Sequence, residues 1–384
     1  MRILYVASYD VSDFKSGNGI DHFKLEALKS AGCQVDRLSP IIHALPDDLT
    51  SRVVRKLTRM LRPQDPVQAR RKQLQDIGRA IEAHPYHAEA DAIVCPNHFD
   101  ISFYEGSLPV FFWTDATYQN LVSLSYSSTM VHSDERKRFE HYVQKRAIER
   151  ADGALWASHF AMNTAIMEYG ADPKKQKVTG FGLNIPGEER SADIPSILAT
   201  REKEVTQLIF IGFDYKRKGL DLAIEATVEL NRMGIPAKLD TIGSHHPLPE
   251  DAQGYVNILG PIDKLDAKQL ATFESALRKA HFFIFPTRGD VYCMPAIEAM
   301  SVGCVPVVSD VGGISEIVTA NGTGIVLPLS APAVEYTKSI AAVLRSNKYE
   351  EMAAAGYRAY WERHRWAEIG KIAREFIEER LAAV

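Results

Sequence analysis

The sequence predicts an α/β protein made of two domains, each built around a parallel β-sheet. Short apolar runs alternate with helical segments in both halves of the chain, which is the pattern of βαβ units. A stretch rich in proline, glycine and charge, from Ile185 to about Glu204, interrupts the alternation, which restarts at Leu208. We therefore place one domain at 1–185 and the second at 186–364.

The bulk composition is that of an ordinary globular protein. The chain has 384 residues, of which 46% are hydrophobic and 24% charged, and this length is enough for two or three domains. The formal net charge of −4 gives no global basic field, so nucleic acid is not an expected partner.

The cysteines and the N-terminus bear on the compartment. Cys33, Cys95, Cys293 and Cys304 form no Cys-x-x-Cys pair, which argues against a disulfide framework and a structural zinc site. Met1–Ser8 is too short for a signal peptide, and no apolar run reaches the roughly 18 residues of a membrane span. The expected location is cytoplasmic.

The elements of the first half follow from apolar runs bounded by turn residues. The predicted strands are Ile3–Ala7, Gln34–Leu38, Ala92–Cys95, Val110–Trp113, Ala154–Ala157 and Val178–Phe181. The predicted helices are Gly19–Ala31, Glu135–Arg150 and Ala161–Tyr169.

The second half repeats the pattern. Its predicted strands are Leu208–Ile211, Lys238–Ile242, Val256–Leu259, Phe282–Phe285, Val305–Val308 and Gly324–Leu327. Its predicted helices are Leu220–Met233, Ala267–Ala280 and Pro295–Val302, with further helices from Pro332 to the end. Paired α/β domains bind small molecules beyond the carboxyl ends of their strands, as glycosyltransferases, sugar epimerases and solute-binding proteins do.

The most informative segment runs from Phe285 to Val308, where a strand leads through a loop into a helix. Pro295 suits the first helical position, so backbone N–H groups around Cys293, Met294 and Ala296 are expected to form an anion site. Asp290 and Glu298 flank this site. Carboxylates are poor phosphate ligands but good acceptors for sugar hydroxyls, so the combination fits a nucleotide sugar.

A second segment, Phe210–Ala223, is basic where a strand gives way to a helix. Gly212 ends the strand and permits a close approach of a ligand to the backbone. Lys216, Arg217 and Lys218 follow and could neutralise a diphosphate leaving group.

These segments resemble the Glu-x7-Glu signature and the basic loop of retaining GT-B glycosyltransferases, the large family that includes sucrose-phosphate synthases. The resemblance implies that Glu298 binds the ribose hydroxyls and that Asp290, in place of the first Glu, binds the donor sugar. Lys218 with Gly219 matches the family's Lys-Gly, whereas Phe213 stands at the usual Arg position, which makes Arg217 the expected substitute.

The resemblance also places residues outside these two segments. It implies two Rossmann-like domains whose sheets face each other across a cleft, and a Trp-containing C-terminal helix, 365–384, that returns to the first domain. Loops at Gly243 and Ile262 would border the nucleobase. Gly17 and Gly19 would form the family's glycine-rich first loop, and Asp115 would face the anomeric carbon.

The implied reaction is transfer of a sugar from a UDP- or GDP-sugar to a hydroxyl acceptor, with retention of configuration and with Asp115, Lys218 and Asp290 as the catalytic residues. The sequence has no Asp-x-Asp pair, so neither a metal nor any other cofactor is expected. The acceptor could be a sugar or a lipid-linked molecule, since the basic, amphipathic segment 52–62 could contact an anionic membrane; a solvated helix packed on the sheet edge is the alternative.

Two other functions fit the same residues. One is a non-hydrolysing sugar-nucleotide epimerase, which would need no acceptor. The other is a non-catalytic GT-B subunit that binds a nucleotide or a partner, which the departures at Phe213 and Asp290 favour.

Overall fold

The computed structural model describes residues 1–12, 19–41, 65–126, 129, 131–187, 193–243, 247–318 and 322–383. It divides into two compact units. Unit 1 comprises Met1–Gly180 and Trp366–Val384, and unit 2 comprises Phe181–Arg365. Gly17 and the segment 52–62 lie outside the described residues.

Unit 1 is built on a six-stranded parallel sheet with the strand order β2-β1-β3-β4-β5-β6. Its strands are β1 Arg2–Val6, β2 Gln34–Leu38, β3 Ala92–Cys95, β4 Val110–Thr114, β5 Gly153–Trp156 and β6 Gln176–Val178. Its helices are α1 Ile20–Ser30, α2 Pro66–Glu82, α3 Tyr118–Ser123, α4 Asp134–Arg150 and α5 His159–Tyr169. Every residue of the central strands β3 and β4 is buried, because helices cover both faces of a parallel sheet.

The last helix of the chain, Trp366–Ala382, packs on α1 within unit 1, as predicted. The Arg374 guanidinium donates a 2.7 Å hydrogen bond to the Ala31 carbonyl at the end of α1. A Cβ at Gly370 would lie 2.3 Å from the Ala27 carbonyl oxygen, so glycine permits the close approach of the two helices.

Unit 2 contains a second six-stranded parallel sheet, with the order β12-β11-β10-β7-β8-β9. Its strands are β7 Thr206–Gly212, β8 Ala237–Gly243, β9 Val256–Gly260, β10 Phe282–Phe285, β11 Val305–Ser309 and β12 Ile325–Leu327. Its helices are α6 Ile194–Ala199, α7 Tyr215–Lys218, α8 Leu220–Arg232, α9 Ala267–Lys279, α10 Met294–Met300, α11 Ile314–Ile317, α12 Ala333–Arg345 and α13 Tyr349–Arg363; the terminal helix of unit 1 is α14.

The two ends of unit 2 are hydrogen-bonded to each other. Leu183 N–H donates to the His364 carbonyl at 3.2 Å, and Nδ1 of the buried His364 ring lies 3.1 Å from the Phe181 carbonyl oxygen. The chain therefore enters and leaves unit 2 at one place.

The structure differs from the sequence prediction in several elements. The short helices α3, α7 and α11 were not predicted. Helix α2, Pro66–Glu82, lies where no element was predicted. The predicted linker contains helix α6, Ile194–Ala199, which buries Ile194 and Ile197. Strand β6 ends at Val178, so the predicted strand Val178–Phe181 is wrong in position. Within the described residues, no helix is both long and apolar enough to cross a membrane.

Candidate functional site

The candidate site lies at the carboxyl ends of β7 and β10 in unit 2. These neighbouring strands mark the point where the strand order reverses, since β8 and β9 lie on one side of β7 and β10 to β12 on the other. Ligands of open α/β sheets bind beyond the carboxyl ends of the strands at such a point. The segments 212–218 and 290–298, which follow the ends of these strands, contain most of the residues that the sequence singled out.

Hydrogen bonds and a glycine contact join these two loops. The Arg217 carbonyl accepts from the Arg288 N–H at 2.7 Å and from the Thr287 hydroxyl at 3.1 Å. Gly219, with φ +79°, has room for no side chain, because a Cβ there would lie 2.0 Å from the Pro286 carbonyl oxygen. The loop after β7, which carries Arg217 and Lys218, and the loop after β10, which carries Asp290, are thus packed together.

Lys218 and Asp290 form an ion pair between the two loops. Lys218 Nζ lies 2.6 Å from Asp290 Oδ2, and the two side chains are 15% and 8% exposed. The Lys218 ammonium also lies 5.2 Å from the centre of the Phe285 ring. Two predicted site residues therefore meet directly, and each limits the conformations of the other.

Arg217, the expected substitute for the family's Arg, is held by one contact in its own loop and one in the loop after β10. Its guanidinium donates to the Gly289 carbonyl at 2.6 Å and to Asp214 Oδ2 at 3.1 Å. These contacts brace the loop that carries Asp290. Phe213, at the family's Arg position, is 65% exposed.

Glu298 lies within α10 and is 2% exposed. Its Oε1 atom lies 2.5 Å from Nζ of Lys264, a residue between β9 and α9 that the sequence analysis did not single out. Its Oε2 atom is buried and accepts no hydrogen bond from the described part of the chain. Burial of a carboxylate oxygen without a hydrogen-bond donor costs free energy. The Oε2 atom is therefore suited to accept a hydrogen bond from a hydroxyl of a ligand.

The start of α10 offers fewer backbone donors than predicted. Met294 N–H donates to the Tyr292 carbonyl and Ala296 N–H to the Cys293 carbonyl, each at 3.1 Å. Pro295 has no N–H group. Burial and the nearby Asp290 carboxylate raise the pKa of the Cys293 thiol well above its usual value, so Cys293 is a neutral packing residue at this helix start.

Three predicted residues lie at strand ends. Gly212 and Gly243 are register partners at the ends of β7 and β8, and a Cβ at Gly243 would lie 2.0 Å from the Gly212 carbonyl oxygen. A Cβ at Gly212 would lie 3.1 Å from Cγ of Lys218, so this glycine makes room for the lysine stem. Ile262, half-buried, follows β9 two residues before Lys264.

The other predicted residues belong to unit 1. Gly19 caps α1 in the left-handed conformation, with φ +78°. Asp115 follows β4 and is half-buried. Next to it, the Trp113 carbonyl accepts a 2.7 Å bond from the buried Lys24 ammonium, which also pairs with Asp21 at 2.8 Å. This buried pair fixes the strand end that leads to Asp115.

In unit 2 the structure brings together Gly212, Arg217, Lys218 and Asp290. Glu298 is eight positions beyond Asp290 and pairs with Lys264. Each of the two acids is thus matched by a lysine from a different loop. In the part of the chain that the structure describes, no group of three or more His, Cys, Asp and Glu side chains is placed to hold a metal ion.

Known proteins resemble both the sequence and the fold. Residues 196–360 match the model of the family described as Glycosyl transferases group 1, so the predicted resemblance is confirmed for unit 2. The D-inositol 3-phosphate glycosyltransferase of Jonesia denitrificans is 24% identical over 221 residues, 52% of this chain and 50% of that protein. The enzyme of the same name from Segniliparus rotundus is 26% identical over 199 residues, 49% of this chain and 43% of that protein. The chain spans about half the length of the curated relatives it matches.

Solved structures resemble the whole chain. The sucrose-phosphate synthase of Thermosynechococcus elongatus aligns with a TM-score of 0.69 at 18% identity, covering 100% of this chain and 99% of that one. WaaG, a glycosyltransferase involved in lipopolysaccharide biosynthesis, gives 0.65 at 14% identity, with 98% and 99% covered. Anabaena HepE in complex with UDP gives 0.63 at 13% identity, with 99% and 100% covered. At these identities the likeness shows the fold, which is the predicted GT-B fold.

Proposed function

Because residues 196–360 form a glycosyl transferases group 1 domain, we propose that the protein transfers a sugar from a nucleoside-diphosphate sugar to a hydroxyl acceptor, with the donor bound to unit 2. The observation that carries this proposal is the arrangement of Asp290 and Glu298, which lie in one loop–helix segment and each pair with a lysine. The carboxylates can accept hydrogen bonds from hydroxyl groups of the nucleotide sugar, and the lysines supply positive charge beside them.

Glu298 is the proposed ribose ligand, since its Oε2 atom is buried and lacks a donor from the described residues. Asp290 is the proposed ligand of the donor sugar. Lys218 is proposed to stabilise the diphosphate. One of its three ammonium hydrogens serves Asp290, and the other two are proposed to serve phosphate oxygens.

The proposed chemistry is retaining and independent of a metal. The glycosidic bond breaks as the diphosphate leaves, and negative charge grows on the diphosphate in the transition state. Lys218 lies beside the proposed phosphate position on a packed loop, so little reorganisation is needed when that charge develops. The leaving diphosphate would accept the acceptor's proton, and Asp115 is proposed to face the anomeric carbon.

The proposed donor is a UDP- or GDP-sugar. Support for UDP comes from the HepE structure, which contains that nucleotide in a protein of the same fold. The acceptor is proposed to be a sugar or a lipid-linked hydroxyl compound.

The test is a donor panel assayed for binding and for turnover. A ligand present at 100 times its Kd raises the stability of the protein by about 2.7 kcal/mol, so thermal shifts with UDP-, GDP- and other nucleotide sugars should identify the donor. Release of the nucleoside diphosphate should then be measured with sugar acceptors, with and without EDTA. We expect turnover to survive chelation. Loss of turnover in EDTA and its return with magnesium or manganese would contradict the metal-independent mechanism.

A second candidate is a non-catalytic nucleotide-binding subunit. It is favoured by the exposed Phe213 at the family's Arg position. It is also favoured by Arg217, whose guanidinium is already bonded to Asp214 and to the Gly289 carbonyl. Such a protein would bind the nucleotide in the same panel and would release no product with any donor. An epimerase would convert the donor sugar without an acceptor.

A further inference from the structure

Lys264 has three attractive contacts that anchor its ammonium group. It lies 2.5 Å from Glu298 Oε1, donates to the Asn184 carbonyl at 3.1 Å, and sits 4.4 Å from the centre of the Phe273 ring. These partners come from three different parts of unit 2. A lysine on the surface of a loop rarely has so many constraints, because side-chain entropy opposes them.

The ion pair uses one oxygen of Glu298 and leaves the other unused. Oε1 faces the Lys264 ammonium, while Oε2 is buried and accepts no hydrogen bond from any described residue. The carboxylate therefore cannot rotate to offer both oxygens without breaking the ion pair. Rotation would leave a charge on a side chain that is only 2% exposed, which is costly.

We propose that Lys264 is a positioning residue for nucleotide recognition: it fixes Glu298 through Oε1, so that Oε2 is aimed at the ribose hydroxyls. This inference rests on the proposed function, since it concerns the same nucleotide site. Lys264 does not contact the nucleotide itself in this arrangement. It acts through Glu298, and its removal leaves the buried carboxylate without its countercharge.

The contacts of Lys264 distinguish this role from that of a plug that leaves when the nucleotide arrives. A plug would occupy the oxygen that the ligand needs and would have few other partners. Lys264 instead leaves Oε2 without a hydrogen-bond donor among the described residues, and the Asn184 carbonyl and the Phe273 ring keep its ammonium in place. The bound nucleotide and Lys264 can therefore share Glu298, one at each oxygen.

The test uses ribose hydroxyls as the readout. Binding of UDP and of 2′,3′-dideoxy-UDP, which lacks both ribose hydroxyls, is measured by calorimetry on the full chain, with GDP and its dideoxy form in parallel. The wild type should bind the normal nucleotide at least about tenfold more tightly than the dideoxy form, since tenfold is about the lower limit for one charge-assisted hydrogen bond. Lys264→Ala should weaken binding of the normal nucleotide about tenfold or more. It should also bring the ratio of the two affinities, normal over dideoxy nucleotide, close to one.

Two further substitutions separate positioning from folding. Lys264→Met keeps an unbranched apolar stem near Phe273 but removes the charge, and it should lose the hydroxyl preference as Lys264→Ala does. Lys264→Arg keeps the charge and should restore most of the preference. Lys268→Ala, at an exposed lysine of the following helix, is the matched control and should bind like the wild type.

Glu298→Gln completes the cycle. If Lys264 acts through Glu298, Lys264→Met should cost little further affinity once Glu298→Gln is present. A Lys264→Met variant that keeps the wild-type hydroxyl preference, or that binds more tightly, would overturn the positioning role. A wild-type protein that binds neither UDP nor GDP would overturn the proposed donor, and this inference with it.

Discussion

Lys218 Nζ and Asp290 Oδ2 lie 2.6 Å apart, although the two residues are 72 positions apart in the sequence. Each follows one of the two strands, β7 and β10, at which the strand order reverses. Hydrogen bonds to the Arg217 carbonyl hold the two loops together. The pair therefore joins the residue proposed to meet the diphosphate to the residue proposed to meet the sugar. Neither side chain can be altered without an effect on the other.

The first prediction follows from this pair. Lys218→Ala should lose most of kcat, and Asp290→Asn should lose turnover while affinity for the nucleoside diphosphate is largely kept. Because the two side chains touch, the double variant should be less impaired than the sum of the single ones, with a coupling of about 1 kcal/mol or more. The measurement is kcat and KM for the four proteins. Strict additivity would show that the ion pair has no part in turnover.

The second prediction concerns Arg217 and Lys216. Arg217→Ala should reduce kcat substantially and lower stability by about 1–2 kcal/mol, because the Gly289 carbonyl loses its 2.6 Å donor. Arg217→Lys keeps the charge but cannot reach Gly289 and Asp214 at once, so it should recover little stability. Lys216→Ala should be mild. Severe loss in Lys216→Ala with a silent Arg217→Ala would mean that Lys216 is the basic residue the reaction needs.

The third prediction uses two glycines in the left-handed conformation. Gly219→Ala should destabilise the protein by more than about 2 kcal/mol and abolish donor binding, because the new Cβ would overlap the Pro286 carbonyl oxygen, 2.0 Å away. Gly234 has a similar φ, +75°, but nothing within 4 Å of its Cβ position. Gly234→Ala should therefore cost only about 1 kcal/mol and leave binding intact. Equal effects in the two variants, measured by thermal unfolding, would contradict the loop packing.

The fourth prediction is a pH dependence in unit 1. Burial raises the pKa of the Asp100 carboxyl, which accepts a 2.8 Å bond from Ser8 N–H, to about 6. A folded-state pKa above that of the unfolded chain gives stability that is complete at low pH and is lost as the pH rises through about 6. The stability of the wild type relative to Asp100→Asn should thus fall between about pH 4 and 7, by on the order of 3 kcal/mol. A difference in Tm that does not change over this range would exclude the effect.

Much of the fold follows from local sequence pattern. Parallel strands such as Phe282–Phe285 are continuous apolar runs because both faces are covered, and such runs are easy to recognise. Helix α2 lies where no element was predicted, although Asp65 caps it and Pro66 begins it in the usual manner. Those two signals could have placed the helix.

The contacts of the site were less predictable than its residues. Asp290, Lys218 and Glu298 are recognisable from spacing, but the sequence does not reveal that Lys218 pairs with Asp290. Lys264 lies in Ile-Asp-Lys-Leu-Asp, which is typical of a solvated turn. Only the packing of the β9–α9 loop against α10 shows that its ammonium neutralises Glu298. The same holds for Arg217, whose charge is visible in the sequence and whose partners are not.

The bonded ends of unit 2 give this unit the connectivity of an insertion into the chain of unit 1. Phe181 and His364 are held together, so the segment 181–365 starts and finishes at one point and carries a complete six-stranded sheet. A chain segment of this kind is suited to expression by itself, because cutting the chain at its two boundaries removes no strand from its sheet. Conversely, a short linker from Gly180 to Trp366 would close unit 1 at little entropic cost.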